Sequence, residues 1–316
     1  MQEVLDLVEW ANGPVTSKWG KVRADAGHPE PFNLKYIGIG NEDLISDVFT
    51  ERYSMICKAI KAKYPHINVI GTVGPFSEGP DYMDGWSLAK QLKLDLVDEH
   101  YYRSPGWFIH HQHFYDNYDR NGTKVYLGEY AAHVGNRSNC IESALAESIY
   151  LTSVERNGDV VSMTSYAPLL CKDGHGNWNP DLIYFSNNDI RPTVGYYAQQ
   201  LFSLNAGDKY VETLLNLDSD DSNALVRVGA STVFDTKNSA AILKIVNILP
   251  VNVNIELSLK NLRGLPCSAD MFVLAGKPSE TKVKPIASKI QMEETCKVKL
   301  QPYSLTVIRM PNVSFR

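Results

Sequence analysis

Residues 36–42 read Tyr-Ile-Gly-Ile-Gly-Asn-Glu, a short apolar run that ends in Gly40-Asn41-Glu42. A second stretch has the same organisation, because the apolar run Val125–Leu127 is followed directly by Gly128 and Glu129. A carboxylate beside an apolar strand end costs free energy unless it is paired or used in chemistry. The two stretches therefore predict two buried β-strands, each of which delivers one catalytic glutamate at its carboxyl end.

The spacing of these strands indicates the fold. Glu129 lies 87 residues after Glu42, and a (β/α)8 barrel uses about 31 residues for each of its eight units. The two strands are therefore predicted to be about three units apart. Further strand-like runs begin near Asn68, Leu96 and Val160, and helical segments such as Phe49–Lys63 fill the gaps. This alternation predicts a parallel sheet with its chemistry at the carboxyl ends of the strands.

One of the intervening strands carries further candidate residues. Residues 96–102 read Leu-Val-Asp-Glu-His-Tyr-Tyr, and in an extended strand Asp98, His100 and Tyr102 share one face. We expect His100 and Tyr102 to point inward near the carboxyl end, although a purely structural core histidine is the alternative for His100. Asp98 is interpreted as a buried polar partner, and Glu99 is expected to face the surrounding helices.

The pattern changes after about residue 208. A polar loop is predicted at Val15–Pro31 and the last strand of the α/β region at Val160–Leu170, but beyond residue 208 only short strands and turns follow. Val253, Ile255 and Leu257 alternate there with polar residues, which is typical of a half-buried antiparallel strand in a β-sandwich. The predicted domains are therefore residues 1–208, a catalytic α/β region, and residues 209–316, an all-β region.

The composition and charge of the chain argue against two kinds of partner, nucleic acid and membrane. The chain has 316 residues, 44% of them hydrophobic, and a net charge of −5 without a long basic run, which argues against nucleic acid as a partner. No apolar run approaches the ~18 residues of a membrane span, so no membrane association is predicted. No signal peptide opens the chain, and the sequence leaves a secreted, periplasmic or cytoplasmic location open.

The sequence gives no sign of a metal site or a cofactor. The five cysteines are scattered and odd in number, so they are interpreted as mostly free core thiols rather than as a disulfide framework or a metal site. The run His110-His111-Gln112-His113 is interpreted as a solvated helix face, because no acidic or cysteine partner stands at ligand spacing. We predict no metal and no cofactor.

Taken together, the motifs resemble those of glycoside hydrolase family 51, the α-L-arabinofuranosidases. The resemblance covers essentially the whole chain, and the ordered set is more specific than Gly-Asn-Glu alone. The matching segments are Val8–Gly13, Gly27–Pro31, Lys35–Glu42, Gly128-Glu129-Tyr130, His100-Tyr101-Tyr102, Trp178–Tyr184 and Tyr197–Asp208.

This resemblance implies roles for individual residues. Glu42 corresponds to the general acid/base and Glu129 to the nucleophile of a retaining hydrolase, which releases terminal non-reducing α-L-arabinofuranosyl residues from arabinose-containing plant polysaccharides or oligosaccharides. Asn41 is expected to bind the sugar 2-hydroxyl, and His100 and Tyr102 to contact the sugar and the nucleophile. Trp178 resembles an aromatic residue at the cleft edge, with plain loop packing as the alternative.

The chain departs from the family pattern at its front. Its first strand resembles the fourth barrel strand of the family, so the expected fold is a partial (β/α)8 TIM barrel, strands 4–8, followed by a jelly-roll-like β-sandwich. Five strands cannot close an eight-stranded barrel. The hypothesis is that this chain is a C-terminal fragment of a longer enzyme. Its expected partner is the missing N-terminal part, and a homo-oligomer is the alternative. The functional alternatives are another retaining glycosidase of the same clan, such as an endo-glucanase or xylanase, and an inactive fragment that only binds carbohydrate.

Overall fold

The computed structural model of the protein describes residues 1–315. They form two compact units, each assembled from several chain segments. The first unit consists of Met1–Tyr101, Asp119–Gly128 and Ser162–Thr164, and the second unit is the rest of the described chain. Among the helices of residues 1–315, none combines the length and the apolar character that crossing a membrane requires.

The elements are numbered in chain order. Up to residue 164 they are α1 Gln2–Asn12, α2 Lys18–Asp25, β1 Tyr36–Ile39, α3 Asp47–Lys63, β2 Asn68–Thr72, α4 Pro80–Leu92, β3 Leu96–Arg103, α5 Pro105–His110, β4 Lys124–Ala132, α6 Ile141–Arg156 and β5 Val161–Thr164. After residue 164 they are β6 Leu170–Lys172, β7 Ile183–Phe185, β8 Ile190–Pro192, α7 Val194–Leu204, β9 Lys209–Val211, α8 Ser222–Leu225, β10 Val228–Asp235, β11 Ala240–Asn247, β12 Val253–Ser258, β13 Leu262–Arg263, β14 Cys267–Ala275, β15 Ile286–Met292, β16 Thr295–Leu300, β17 Ser304–Met310 and β18 Ser314–Phe315.

Residues of the first unit supply most of a five-stranded sheet with the order β1-β2-β3-β4-β5. β1 pairs with β2 and β2 with β3, both in parallel, with Tyr36 opposite Asn68 and Ile70 opposite Leu96. The predicted parallel sheet is therefore confirmed. Parallel strands place their carboxyl ends at one end of a sheet, so Glu42, which follows β1, lies at the same end of the sheet as the carboxyl end of β2.

Helix α3 shows why the connecting segments are helical. Ser46 caps its amino end, where the hydroxyl oxygen accepts a hydrogen bond from the Phe49 N–H at 3.2 Å. The helix buries Tyr53, Cys57 and Ile60, which recur at the spacing of one helical face. The predicted helix over Phe49–Lys63 is thus confirmed, with a start two residues earlier.

The second unit contains a six-stranded sheet with the order β15-β14-β17-β11-β10-β9, antiparallel at each pairing. β12 forms a separate antiparallel pair with β16, with Val253 opposite Leu300. Along β12, half-buried and exposed residues alternate as predicted, and its apolar residues pack on the core between the strands. The α/β region and the antiparallel sheets both agree with the predicted fold class.

Two predictions about local structure are wrong. The segment Val15–Pro31 is not all loop, because α2 forms where the Ser17 hydroxyl caps the helix through the Gly20 N–H. The last predicted strand, Val160–Leu170, is instead the short β5 and, after a break, β6 of a small three-stranded sheet with β7 and β8. Pro168 lies in that break and has no N–H for a sheet hydrogen bond.

Candidate active site

The turn after β1 sets the position of Glu42. Gly40 has φ +89°, and a Cβ atom there would lie 2.4 Å from an Asp43 carboxylate oxygen, so this turn strongly favours glycine. The same carboxylate accepts a hydrogen bond from the Asn41 N–H at 2.7 Å. Glu42 itself has φ +52°, a left-handed conformation that is uncommon for a residue with a side chain and concentrates at functional sites. The turn thus fixes the direction in which the Glu42 side chain leaves the backbone.

The Glu42 carboxyl contacts His100 of β3 within the first unit. Glu42 Oε1 lies 2.9 Å from His100 Nδ1, and the other ring nitrogen, Nε2, lies 3.3 Å from Asp98 Oδ2. His100 is buried, with 2% of its side chain exposed, whereas Glu42 is about one third exposed at 34%. Asp98 and His100 therefore share one face of β3, as the alternation predicted. One glutamate, one histidine and one aspartate form a continuous chain of polar contacts.

Gly128 of β4 is required by its close approach to Asp98. A Cβ atom at residue 128 would overlap Asp98 Oδ1, which is a buried oxygen without a hydrogen-bond partner among residues 1–315. The glycine before Glu129 thus leaves room for the Asp98 carboxylate. The sequence alone does not show that Gly128 makes room for Asp98, because that requires knowing which strands are neighbours in the sheet.

Glu99 points away from this group. Its carboxylate is fully buried and accepts hydrogen bonds from Tyr82 and Trp86 of α4, at 2.9 and 3.0 Å, and from the Tyr101 hydroxyl. The prediction that Glu99 faces the surrounding helices is confirmed. This carboxylate holds β3 on α4, on the opposite face of the strand from Asp98 and His100.

In the second unit, Glu129 is held by Tyr102. The Tyr102 hydroxyl donates a hydrogen bond to Glu129 Oε2 at 2.6 Å, which orients this carboxyl group. The Tyr102 ring stacks on His133, with ring centroids 5.3 Å apart and the planes 15° from parallel. Burial and the adjacent Arg137 guanidinium lower the pKa of His133 to about 4, so this supporting ring is neutral near pH 7.

The carboxyl end of β4 is anchored by Glu147 of α6, which the sequence analysis missed. Glu147 Oε1 accepts the Ala132 N–H at 2.8 Å, and Gln199 lies 3.4 Å from its other oxygen. The Tyr130 hydroxyl donates to Gln199 Oε1 at 2.6 Å. Burial raises the pKa of Glu147 to about 8. The signal available in the sequence was an acidic residue in the middle of a helix that is otherwise apolar or small on all sides.

The remaining predicted residues are less constrained. Asn41 is exposed, and Trp178 lies in the segment between β6 and β7 with 73% of its surface exposed. The run of histidines lies at the end of α5 and beyond it, where His111 Nδ1 contacts the Trp107 carbonyl oxygen and His113 Nδ1 contacts Asp116. These two histidines contact different groups. All five cysteines are free thiols, three of them buried.

Comparison with protein families assigns most of the chain. Residues 1–120 match the model of the "Alpha-L-arabinofuranosidase 1 domain", and residues 114–304 match that of the "Alpha-L-arabinofuranosidase C-terminal domain". The chain is 43% identical over 233 residues to an extracellular exo-alpha-L-arabinofuranosidase of Streptomyces chartreusis, a match that covers 73% of the chain and 28% of that protein. It is 33% identical over 264 residues to alpha-L-arabinofuranosidase 2 of Arabidopsis thaliana, covering 83% and 37% respectively. The chain thus spans only about a third of the length of these relatives.

Solved structures agree with this assignment. The arabinose-bound MgGH51 α-L-arabinofuranosidase superimposes with a TM-score of 0.85 and 26% identity, covering 100% of this chain and 51% of that one. The arabinose complex of the Thermotoga maritima α-L-arabinofuranosidase gives a TM-score of 0.77 at 17% identity, covering 98% and 73%. At that identity the second likeness shows a shared fold only.

Proposed function

Because the chain belongs to the α-L-arabinofuranosidase family, glycoside hydrolase family 51, we propose that it carries the catalytic carboxylates of a retaining exo-hydrolase. The enzyme releases terminal non-reducing α-L-arabinofuranosyl residues from arabinose-containing plant polysaccharides or oligosaccharides. The exo-acting relative of Streptomyces chartreusis supports release of terminal residues. The observation that carries the proposal most directly is the 2.6 Å hydrogen bond from Tyr102 to Glu129, because a nucleophilic carboxylate must be held in a fixed orientation.

The proposed architecture is a partial (β/α)8 barrel over residues 1–208, with strands equivalent to barrel strands 4–8, and a jelly-roll-like β-sandwich over residues 209–316. The five-stranded order β1-β2-β3-β4-β5 supports the first part. The core shared by the six-stranded sheet and the β12–β16 pair supports the second. Addition of further β/α units at the free edge of β1 would complete the barrel, either from the same polypeptide or from an associated one.

In the proposed mechanism Glu129 attacks the anomeric carbon and Glu42, protonated, donates a proton to the departing glycosidic oxygen. Glu42 then removes a proton from water, which releases arabinose from the glycosyl-enzyme. A retaining enzyme needs the two carboxyl groups about 5 to 5.5 Å apart. The fixed turn at Glu42 and the hydrogen bond from Tyr102 to Glu129 support the assignment of acid/base and nucleophile in this order.

Four residues are proposed to bind the sugar. Asn41 donates to the 2-hydroxyl, a contact that strengthens in the transition state of glycoside hydrolysis. His100 and Tyr102 border the sugar beside the carboxylates. Trp178, with its exposed ring, stacks on the substrate at the edge of the cleft. No metal or cofactor takes part in this scheme.

Chemical rescue tests the roles of the two glutamates. In the natural protein that carries this chain, Glu129→Ala should abolish hydrolysis of p-nitrophenyl α-L-arabinofuranoside, and azide should restore turnover as a β-arabinofuranosyl azide of inverted configuration forms. Azide with Glu42→Ala should instead give the product of retained configuration. Rescue of Glu42→Ala with inversion would reverse the assignment, and full activity of Glu129→Ala without azide would refute it.

Product analysis on arabinan distinguishes exo cleavage from endo cleavage. Binding of arabino-oligosaccharides without hydrolysis by the unmodified protein would favour the carbohydrate-binding alternative.

A second assay addresses the architecture. The 316-residue chain should turn over the same aryl arabinoside poorly by itself if further β/α units are needed to close the barrel. Turnover equal to that of the natural protein would contradict the partial-barrel proposal. Thermal unfolding of the 316-residue chain, followed by circular dichroism, is the control that distinguishes an open barrel from an unfolded one.

A further inference from the structure

His100 is placed between two carboxylates inside the first unit. Its Nδ1 atom is 2.9 Å from Glu42 Oε1 and its Nε2 atom is 3.3 Å from Asp98 Oδ2. The imidazole side chain is 2% exposed, so the ring is almost fully shielded from water. Because the ring is buried, it has little freedom to flip and so to exchange which nitrogen faces which carboxylate.

The hydrogens in these contacts can be deduced from the chemistry of the groups. An ionised carboxylate can only accept hydrogen bonds, and a neutral imidazole has one donor nitrogen and one acceptor nitrogen. If both oxygens lack a proton, each nitrogen must carry a hydrogen, because a bare nitrogen lone pair would repel a carboxylate oxygen at this separation. If Glu42 is protonated on its other oxygen, Oε1 still accepts a hydrogen bond from Nδ1, and Nε2 still carries its hydrogen for Asp98. In both cases Nε2 carries a hydrogen on the side of the ring that faces Asp98 Oδ2, which lies 3.3 Å from Nε2.

Asp98 is itself held in place. It lies two residues before His100 on β3, so both side chains leave the strand on the same face. Its Oδ1 atom is buried against the backbone of Gly128, where a side chain would not fit. The Gly128 backbone therefore limits the movement of the Asp98 carboxylate on the Oδ1 side, and Oδ2 is directed to the His100 ring. A mobile surface aspartate would not select one orientation of the imidazole.

We propose that Asp98 is a positioning residue for Glu42, which it controls by accepting the Nε2 hydrogen of His100 and thereby reserving Nδ1 for the Glu42 carboxyl group. The acid/base role of Glu42 rests on the function proposed above, whereas the arrangement of hydrogens on His100 does not. With both ring nitrogens protonated, Nδ1 donates a hydrogen bond to Glu42 Oε1, while the other Glu42 oxygen carries the proton that is given to the glycosidic oxygen and later taken from water. His100 itself neither gains nor loses a proton in the cycle. Glu42 thus keeps the same partner and orientation in both forms that the hydrolase cycle requires.

Nitrogen NMR of the histidine side chains tests this directly in the folded 316-residue chain. Uniform ¹⁵N labelling and two-bond ¹⁵N–¹H correlations distinguish a protonated ring nitrogen from a bare one, and the His100→Gln spectrum assigns the signals among the eight histidines. In the unmodified chain, Nε2 of His100 should show the protonated type of signal from pH 6 to pH 8. A bare Nε2 in that range would overturn the proposal, whatever the variants do.

Two variants separate the two contacts. Asp98→Ala should move the Nε2 signal towards the position averaged between the two tautomers, whereas Glu42→Ala should shift Nδ1 and leave Nε2 protonated. Asp84→Ala, at an exposed aspartate of α4, removes the same charge and should change neither signal. An unchanged Nε2 signal in folded Asp98→Ala would refute the role of Asp98. Failure of azide rescue at Glu129 would refute the proposed function without affecting this result, so the two failures are distinguishable.

Discussion

Replacement of Glu147 by glutamine should remove a pH-dependent loss of stability from the second unit. Glu147 lies in the middle of α6, is 1% exposed, and accepts a hydrogen bond from the Ala132 N–H. Burial raises its pKa from 4.5 to about 8. The folded protein therefore keeps this carboxyl group protonated over a pH range in which the unfolded chain has already released the proton.

The sign and the size of the effect follow from this difference. A raised pKa in the folded state means that the unfolded state binds fewer protons between pH 4.5 and 8, so the free energy of unfolding falls as the pH rises through this range. Each pKa unit corresponds to about 1.4 kcal/mol. The loss should reach roughly 3 kcal/mol at pH 7 and roughly 5 kcal/mol above pH 8 as an upper limit. Below pH 4.5 the stabilisation is fully present.

Glutamine has nearly the shape of the protonated acid. Its carbonyl oxygen can accept the Ala132 N–H, but its amide nitrogen takes the place of the oxygen that accepts the Gln199 side-chain N–H at 3.4 Å, so that contact is lost at every pH. Urea unfolding of the unmodified chain and of Glu147→Gln, monitored by circular dichroism at pH 4.5, 6, 7, 8 and 9, measures the difference. Glu142→Gln, at an exposed position in the first turn of α6, is the matched control. A difference between Glu147→Gln and the unmodified chain that stays constant from pH 4.5 to 9 would refute the reasoning.

Three further substitutions test other contacts by denaturant unfolding. Lys244→Ala should destabilise the second unit by roughly 3 to 5 kcal/mol, because it leaves the Glu155 carboxylate without the buried ammonium 2.6 Å away; equal stability would show that this ion pair contributes nothing. Gly128→Ala should cost about 1 to 3 kcal/mol through overlap with Asp98, and a crystal structure should show the displaced carboxylate. Arg23→Met should destabilise the first unit by roughly 3 kcal/mol or more, since several backbone carbonyls lose their donor; Lys21→Met, at an exposed position of α2, is the control.

Much of the fold was predictable because the patterns are local. The burial pattern of α3 at helical spacing and the alternation along β12 are properties of a few neighbouring residues, so both elements were found from the sequence. α2 was missed because its position depends on Arg23, whose three guanidinium nitrogens bind four backbone carbonyl groups that the folded chain brings together.

In the candidate site, too, some features were predicted from the sequence and others were not. Asp98 and His100 were predicted to share a face because the period of a strand is fixed by its geometry, and the contact between them confirms this. The link from Glu129 to Tyr102 was predicted and is present at 2.6 Å. Glu147 was not predicted, since nothing in its immediate neighbours indicates that it supports β4. The assignment of catalytic roles to Glu42 and Glu129 stays a prediction.

The sequence by itself determined which residue types stand at the strand ends and the family to which the chain belongs, because motifs and periodicity are written along the chain. Only the tertiary structure decided the surroundings of those residues: the two carboxylates on either side of His100, the neutral His133 beneath Tyr102, and the protonated acid at Glu147. The physical reason is that hydrogen-bond partners and pKa values depend on burial and on groups distant in sequence, which come together only when the chain packs.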